Sequence, residues 1–88
     1  MEIVFTKQFN KDILKITDKK LAFRIEEIIL EVKKASNLAQ INNLKKLSGY
    51  QNSYRIRVGD FRIGLYVNKN TVEFARFLNR KEMYRYFP

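Results

Sequence analysis

Between Thr17 and Ala35 the apolar residues Leu21, Ile25, Ile28, Ile29 and Val32 recur at i, i+4, i+7, i+8 and i+11, the spacing of one helical face. Glu26, Glu27, Glu31, Lys33 and Lys34 fall mainly on the wetter side, and Thr17-Asp18 supplies an N-cap candidate. Upstream, Phe9, Ile13, Leu14 and Ile16 lie near helical spacing and predict a shorter amphipathic helix over Lys7–Ile16. Glu2–Thr6 is β-branched and aromatic, and reads as a short strand.

Downstream of a polar, asparagine-rich connector (Ser36–Asn43, with room for one short turn), the period changes to two. Lys45-Lys46-Leu47-Ser48-Gly49 leads into Ser53–Val58, where Tyr54, Ile56 and Val58 take one face and Arg55 and Arg57 the other. Gly59-Asp60 is a two-residue hairpin signal, because glycine reaches positive φ without a Cβ clash. In Phe61–Val67, Phe61, Ile63, Leu65 and Val67 share a phase, and Arg62, Gly64 and Tyr66 share the other. Asn68-Lys69-Asn70 is the next turn, before a third β-rich run at Thr71–Leu78. That run is apolar in both phases, so the facing of Arg76 stays open: a bulge would carry it from the core edge to the polar face. Arg80–Phe87 reads as a short helix or an ordered tail.

The predicted order is β-α-α-β-β-β-(α). It implies one α+β domain over residues 1–88, in which an N-terminal strand and a helical hairpin precede an antiparallel meander of three strands. The helices cover one sheet face.

A two-residue loop at Gly59-Asp60 sets the cross-strand partners by counting: Val58 with Phe61, Arg57 with Arg62, Ile56 with Ile63, Arg55 with Gly64, Tyr54 with Leu65. The apolar pairs then stack beneath the helices, and the other face carries Arg57 against Arg62 with Arg55 one diagonal step away. Like charges directly opposite one another destabilise a sheet. Stability alone therefore gives no reason for this arrangement, whereas guanidinium groups bind phosphate oxygens in pairs and stack on bases. Gly64 would leave a shallow cationic floor, and Tyr66 would add a stacking surface for single-stranded RNA. The competing structural account has these arginines lying over apolar neighbours or pairing with Asp60 and Glu73. Two acids cannot neutralise three arginines together with Arg76.

Charge sharpens this picture. The 88 residues carry a formal net charge of +9, with an isoelectric point near 10.0. Residues 1–44 hold eight basic and six acidic side chains, while residues 45–88 hold ten basic and three acidic. The second half therefore dominates the field, and a polyanion is the natural partner. No cysteine and no histidine occur, which removes disulfides, thiolate metal sites and the usual neutral-pH acid or base. No apolar run is long enough to span a membrane and residues 1–16 lack a signal-peptide pattern, so a cytoplasmic protein is expected, with no metal and no cofactor.

RNA cleavage needs a base for the 2′-OH, stabilisation of the phosphorane-like transition state and protonation of the leaving oxygen. The carboxylates of the basic half are too scattered for two-metal chemistry. Arginine remains for electrostatic stabilisation, and lysine or tyrosine for proton transfer. A free tyrosine, with its ordinary value near 10, is a poor base unless nearby cations favour its phenolate. Arg80 and Tyr84 are four apart and would share a helical face. The same segment reads equally well as a basic helix docked by Met83, Tyr86 and Phe87.

Lys46-Leu47-Ser48-Gly49, then Tyr54-Arg55-Ile56-Arg57, then Gly59-Asp60-Phe61-Arg62-Ile63-Gly64-Leu65-Tyr66 resemble the central signature of RelE-type toxins of the RelE/ParE superfamily. Arg80-Lys81-Glu82-Met83-Tyr84-Arg85 is similar to that family's R-[RK]-E-x-Y-R box, and the element order also matches, so the resemblance spans nearly the whole chain. The resemblance implies the toxin of a type II toxin–antitoxin pair, a ribosome-dependent, metal-independent endoribonuclease that cuts mRNA in the A site. On that reading Arg55, Arg57 and Arg62 grip the backbone and stabilise transition-state charge. Arg80 assists at the scissile phosphate or leaving group, and Tyr84 is the base or a stacking residue. Lys45, Lys46, Tyr66, Arg76 and Arg85 are RNA contacts. The chain departs from the pattern at Leu78, where some relatives are basic, and in having no C-terminal histidine.

The implied partners are the ribosome with its mRNA, and a cognate acidic, RelB-like antitoxin covering the arginine face or displacing the segment with Tyr84. Two alternatives stay open: a ParE-like inhibitor of DNA gyrase, and a non-catalytic RNA- or ribosome-binding module.

Overall fold

A computed structural model describes residues 1–88. Its elements are β1 (Glu2–Phe5), α1 (Lys7–Leu14), α2 (Lys19–Lys34), a 3-10 turn (Leu38–Gln40), β2 (Leu44–Lys46), β3 (Ser53–Val58), β4 (Phe61–Asn68), β5 (Thr71–Asn79) and α3 (Arg80–Tyr86). Both long helices begin at side-chain caps. Thr6 Oγ1 accepts from the Phe9 N–H at 3.0 Å, and Asp18 Oδ1 accepts from the Lys20 and Leu21 N–H groups at 2.9 and 3.2 Å. Such caps satisfy donors that the first helical turn leaves without intrahelical partners.

The five strands form one sheet in the order β1-β5-β4-β3-β2. All but β1 pair antiparallel, and β1 runs parallel to β5 from Glu2↔Thr71 to Phe5↔Phe74. The sheet is thus mixed and holds two pairings absent from the meander of three strands expected from sequence. β2 is only three residues long, and its extended form comes from pairing with β3 rather than from β-favouring side chains. β1 pairs with a strand some seventy residues away, which no local pattern encodes.

The β3–β4 register is the counted one, from Tyr54↔Leu65 to Val58↔Phe61. Ile56, Val58, Ile63, Leu65, Val72, Phe74 and Phe77 therefore turn towards Phe9 of α1 and Ile25, Ile28 and Val32 of α2, forming the main core. Phe74 is fully buried against the rings of Phe5 and Phe9, with centroids 5.3 and 5.5 Å away, and those two rings are 5.7 Å from each other.

Candidate nucleic-acid interface

The Gly59-Asp60 turn organises the opposite face. Gly59 has φ 58°, a left-handed conformation that glycine adopts without a Cβ penalty. Arg62 Nη1 donates to the carbonyls of Gly59 and Phe61, each at 2.8 Å. The Asp60 carbonyl between them accepts from the backbone N–H of Arg80, also at 2.8 Å. Three consecutive carbonyls thereby hold one guanidinium and the start of α3.

Arg57 lies opposite Arg62, Arg55 opposite Gly64, and Lys45 of β2 opposite Arg55. Residues facing each other across strands share a side of the sheet, so Lys45, Arg55, Arg57 and Arg62 all lie on the side turned away from α1 and α2. The ion pairs of the chain are Arg24–Glu27 and Arg76–Asp12, and neither Asp60 nor Glu73 compensates these cations. Burial holds the Arg62 guanidinium below the usual arginine range. Repulsion from Arg55, Arg57 and Arg80 acts in the same direction, and Tyr84 opposes it. Arg62 thus feels the charge of the other three arginines and of the tyrosine.

α3 brings Arg80 and Tyr84 to this cluster. Asn79 caps it, with Oδ1 accepting from the Glu82 N–H at 2.9 Å and Nδ2 donating to Glu82 Oε1 at 2.8 Å. Met83 and Phe87 are buried with Ala75 and Leu78 in a second, smaller hydrophobic cluster, rimmed by Leu47 and Tyr66. Tyr84, pointing away from that cluster, is 74% exposed, and Arg80 and Arg85 are exposed as well.

Four placements differ from the sequence reading. Gly64 is not an open floor: the Phe87 ring lies on it, and a Cβ built at Gly64 would meet Cγ and Cδ1 of that ring at 2.8 Å. Tyr66 packs against the same ring, with centroids 5.1 Å apart, and is half-buried rather than presented for stacking. Lys46 pairs with Tyr54, on the helix-facing side, and is separated from the Lys45–Arg55 row.

Arg76, expected among the RNA contacts, is engaged elsewhere. A bulge at Ala75 shifts the β4–β5 register between Gly64 and Leu65. Arg76 then reaches α1, where Nε and Nη2 donate to the two carboxylate oxygens of Asp12 at 2.8 and 3.2 Å. The Phe77 N–H and Gln8 Nε2 complete the shell of that carboxylate at 2.9 and 3.2 Å. Burial pushes the Asp12 carboxyl up, but the hydrogen bonds from Arg76, Phe77 and Gln8 and the Arg76 charge outweigh it and hold the group below its ordinary range. The Arg76 guanidinium also lies 5.9 Å from the centroid of the Tyr86 ring. Asp12 and the turn carbonyls were invisible to motif reading: one partner lies 64 residues from Arg76, and the others are main chain.

No group of three or more His, Cys, Asp or Glu side chains is placed to hold a metal ion, and no helix is long and apolar enough to cross a membrane.

Residues 3–84 match the family model of the ParE toxin of type II toxin–antitoxin systems. Toxin RelE3 of Methanocaldococcus jannaschii is 45% identical over 89 residues, covering 100% of both chains. Among solved structures, the RelB-RelE antitoxin–toxin complex from Methanococcus jannaschii matches with a TM-score of 0.82 and 42% identity, over 97% of this chain and 99% of that one. The YoeB dimer from Staphylococcus aureus shares the fold, with a TM-score of 0.70 and 24% identity over 91% of this chain and 97% of the other.

Proposed function

This chain belongs to the RelE/ParE family of toxins of type II toxin–antitoxin systems, and on that premise we propose that it is a ribosome-dependent, metal-independent endoribonuclease. It acts in the cytoplasm, cleaves mRNA in the A site and so halts translation. The observation that carries this reading is the row of Arg55 and Arg57 across from a buried Arg62, with the start of α3 and Arg80 held at the same turn, and no carboxylate pairing any of them. Such a cluster is preorganised for an anion, and preorganised charge is the largest single contribution to many catalysed reactions.

In the proposed step a 2′-hydroxyl loses its proton to Tyr84, and its oxygen forms a bond to the adjacent phosphorus. The bond from phosphorus to the 5′-oxygen breaks, that oxygen takes a proton from solvent beside Arg80, and Tyr84 returns its proton to solvent. The products are a 2′,3′-cyclic phosphate and a 5′-hydroxyl, with no external oxidant or water consumed. Arg62, fixed by the turn carbonyls, faces the charge that grows on the phosphorane. Arg55 and Arg57 bind the flanking phosphates, and Arg80 serves the leaving side. Lys45 extends the row across β2, and Arg85 and Lys46 are outlying RNA contacts. Arg76 and Tyr66 are left out of the contact set, because Asp12 and Phe87 occupy them.

The partner that silences the toxin is an acidic, RelB-like antitoxin. Support comes from the RelB-RelE complex, whose toxin is 42% identical to this chain. The gyrase reading is not favoured, since the full-length relative at 45% identity is a RelE toxin.

Primer extension on mRNA from a translating extract, beside a gyrase supercoiling assay, tests this function. New 5′ ends inside ribosome-covered codons with supercoiling untouched are expected. Intact mRNA with blocked supercoiling would replace the reading with the gyrase one.

A further inference from the structure

We propose that Phe87, seated on Gly64, is the positioning residue that sets Tyr84 over the arginine cluster. This rests on the cleavage reading above and concerns a residue that touches neither RNA nor the reacting atoms.

α3 has seven residues, well short of the roughly 12–15 at which an isolated helix becomes even marginally stable in water. Its place is therefore decided by what it docks on. At its start the Arg80 N–H is held by the Asp60 carbonyl. Met83, 1% exposed, anchors its middle, and at its end stands Phe87, 5% exposed, lying flat on Gly64 with three ring atoms 2.8–2.9 Å from where a Cβ would stand. The Phe87 N–H bonds to the Met83 carbonyl at 3.0 Å, so helical bonding runs through Tyr84 to the anchor. Tyr84, at 74% exposure, has no packing of its own to fix it. Its position is inherited from Met83 beside it and from the two ends of the segment, and of these Phe87 alone fixes the helix against the strand that carries the arginines.

Gly64 supports the same conclusion independently. A glycine inside a strand weakens it, and often marks a close approach of another group. The backbone of Gly64 is not in the left-handed region, so conformation does not call for glycine there. Space does: its cross-strand neighbours are Arg55 and Arg76, and the gap between those two long side chains is where the Phe87 ring sits.

Single-turnover cleavage on ribosomes programmed with one mRNA tests the idea, with saturating rate and half-saturating toxin concentration measured separately. Phe87→Ala and Gly64→Ala are each expected to lower the saturating rate about 10-fold or more, since a misplacement near 1 Å can cost about 100-fold. The half-saturating concentration should stay within about threefold, because the arginines that bind phosphate are untouched. Phe87→Leu should recover most of the rate. In the double variant Gly64→Ala/Phe87→Ala the rate should equal that of Phe87→Ala alone, since no ring remains for the new methyl to displace.

Wild-type rates in Phe87→Ala, multiplicative losses in the double variant, or a defect confined to half-saturation would each overturn the proposal. If Gly64→Ala does not fold, the Phe87→Ala and Phe87→Leu pair decides. Absence of cleavage by the wild-type protein would remove both the function and the positioning, whereas wild-type cleavage matched by Phe87→Ala would remove the positioning alone.

Discussion

The core shared by the sheet with helices α1 and α2 holds 13 buried hydrophobic residues; the cluster that docks α3 holds four. The same strands build both faces. On the first, the strand alternations are filled mainly by Ile, Val, Leu and Phe, and the one buried acid, Asp12 of α1, is matched by Arg76 and two further donors at the sheet's margin. On the second, packing stops at Phe87, and the rest is given to Lys45, Arg55, Arg57 and Arg62 without an acid between them. Stability is concentrated on one side, which allows the other to tolerate like charges at cross-strand positions. The penalty for such pairs is a fraction of a kcal/mol to about 1 kcal/mol each, small against a well-filled core.

Arg62 and Arg76 show the difference at the scale of one side chain. Both leave neighbouring strands of the same sheet; Arg62 is buried and Arg76 half-buried. Arg76 receives a carboxylate and becomes a brace between β5 and α1. Arg62 receives only carbonyls, which orient its guanidinium but leave its charge uncompensated.

The largest expected effect lies in the filled face. Phe74→Ala should lower unfolding free energy by about 3–5 kcal/mol, as for buried aromatic truncations generally, measured by urea denaturation. On the cationic face, Arg62→Ala should reduce ribosomal cleavage roughly 100- to 1,000-fold, the effect of removing one transition-state donor. Asp12→Ala should cost about 3 kcal/mol, near the lower end for breaking a buried pair because Arg76 is partly open to water.

Asp12 also makes a pH prediction. Its folded-state group lies below the ordinary carboxylate range, so the unfolded chain binds the proton first. The stability it contributes is fully present above the ordinary carboxylate value and is lost as pH falls through the lower folded value. Asp12→Ala should therefore flatten the acid limb of a melting-temperature profile below about pH 4. The smallest effect belongs to Lys45→Ala, with cleavage changed little and the salt slope of RNA binding reduced by about one unit or less. A Lys45→Ala loss as large as that of Arg62→Ala would move the centre of the site to β2.

Much of this was legible in the sequence. Gly59-Asp60 between two alternating runs dictates a two-residue hairpin, and a period of two leaves no freedom in which side chains share a face. The stripe from Leu21 to Val32 and the Asp18 cap specify α2 in the same way. What escaped was nonlocal or main-chain in origin. β2 is a strand because β3 offers it partners, β1 pairs across the length of the chain, and Asp12 meets Arg76 only once a bulge at Ala75 has turned it. In the sequence Gly64 promises an open floor, because its occupant, Phe87, arrives from just beyond α3. Tyr66 followed it, since the same ring that fills the gap covers that tyrosine.

The central claim is that two arginines on adjacent strands have separate duties, and the direct measurement is Arg62→Ala beside Arg76→Ala, each assayed for melting temperature and for A-site cleavage. Arg62→Ala should melt as the wild type does and lose cleavage. Arg76→Ala should melt lower by roughly 10 °C or more, at about 4–8 °C per kcal/mol for a domain of this size, and cleave while it remains folded. An Arg62→Ala protein that cleaves normally, or an Arg76→Ala protein that melts normally and cleaves less than Arg62→Ala, would contradict the account.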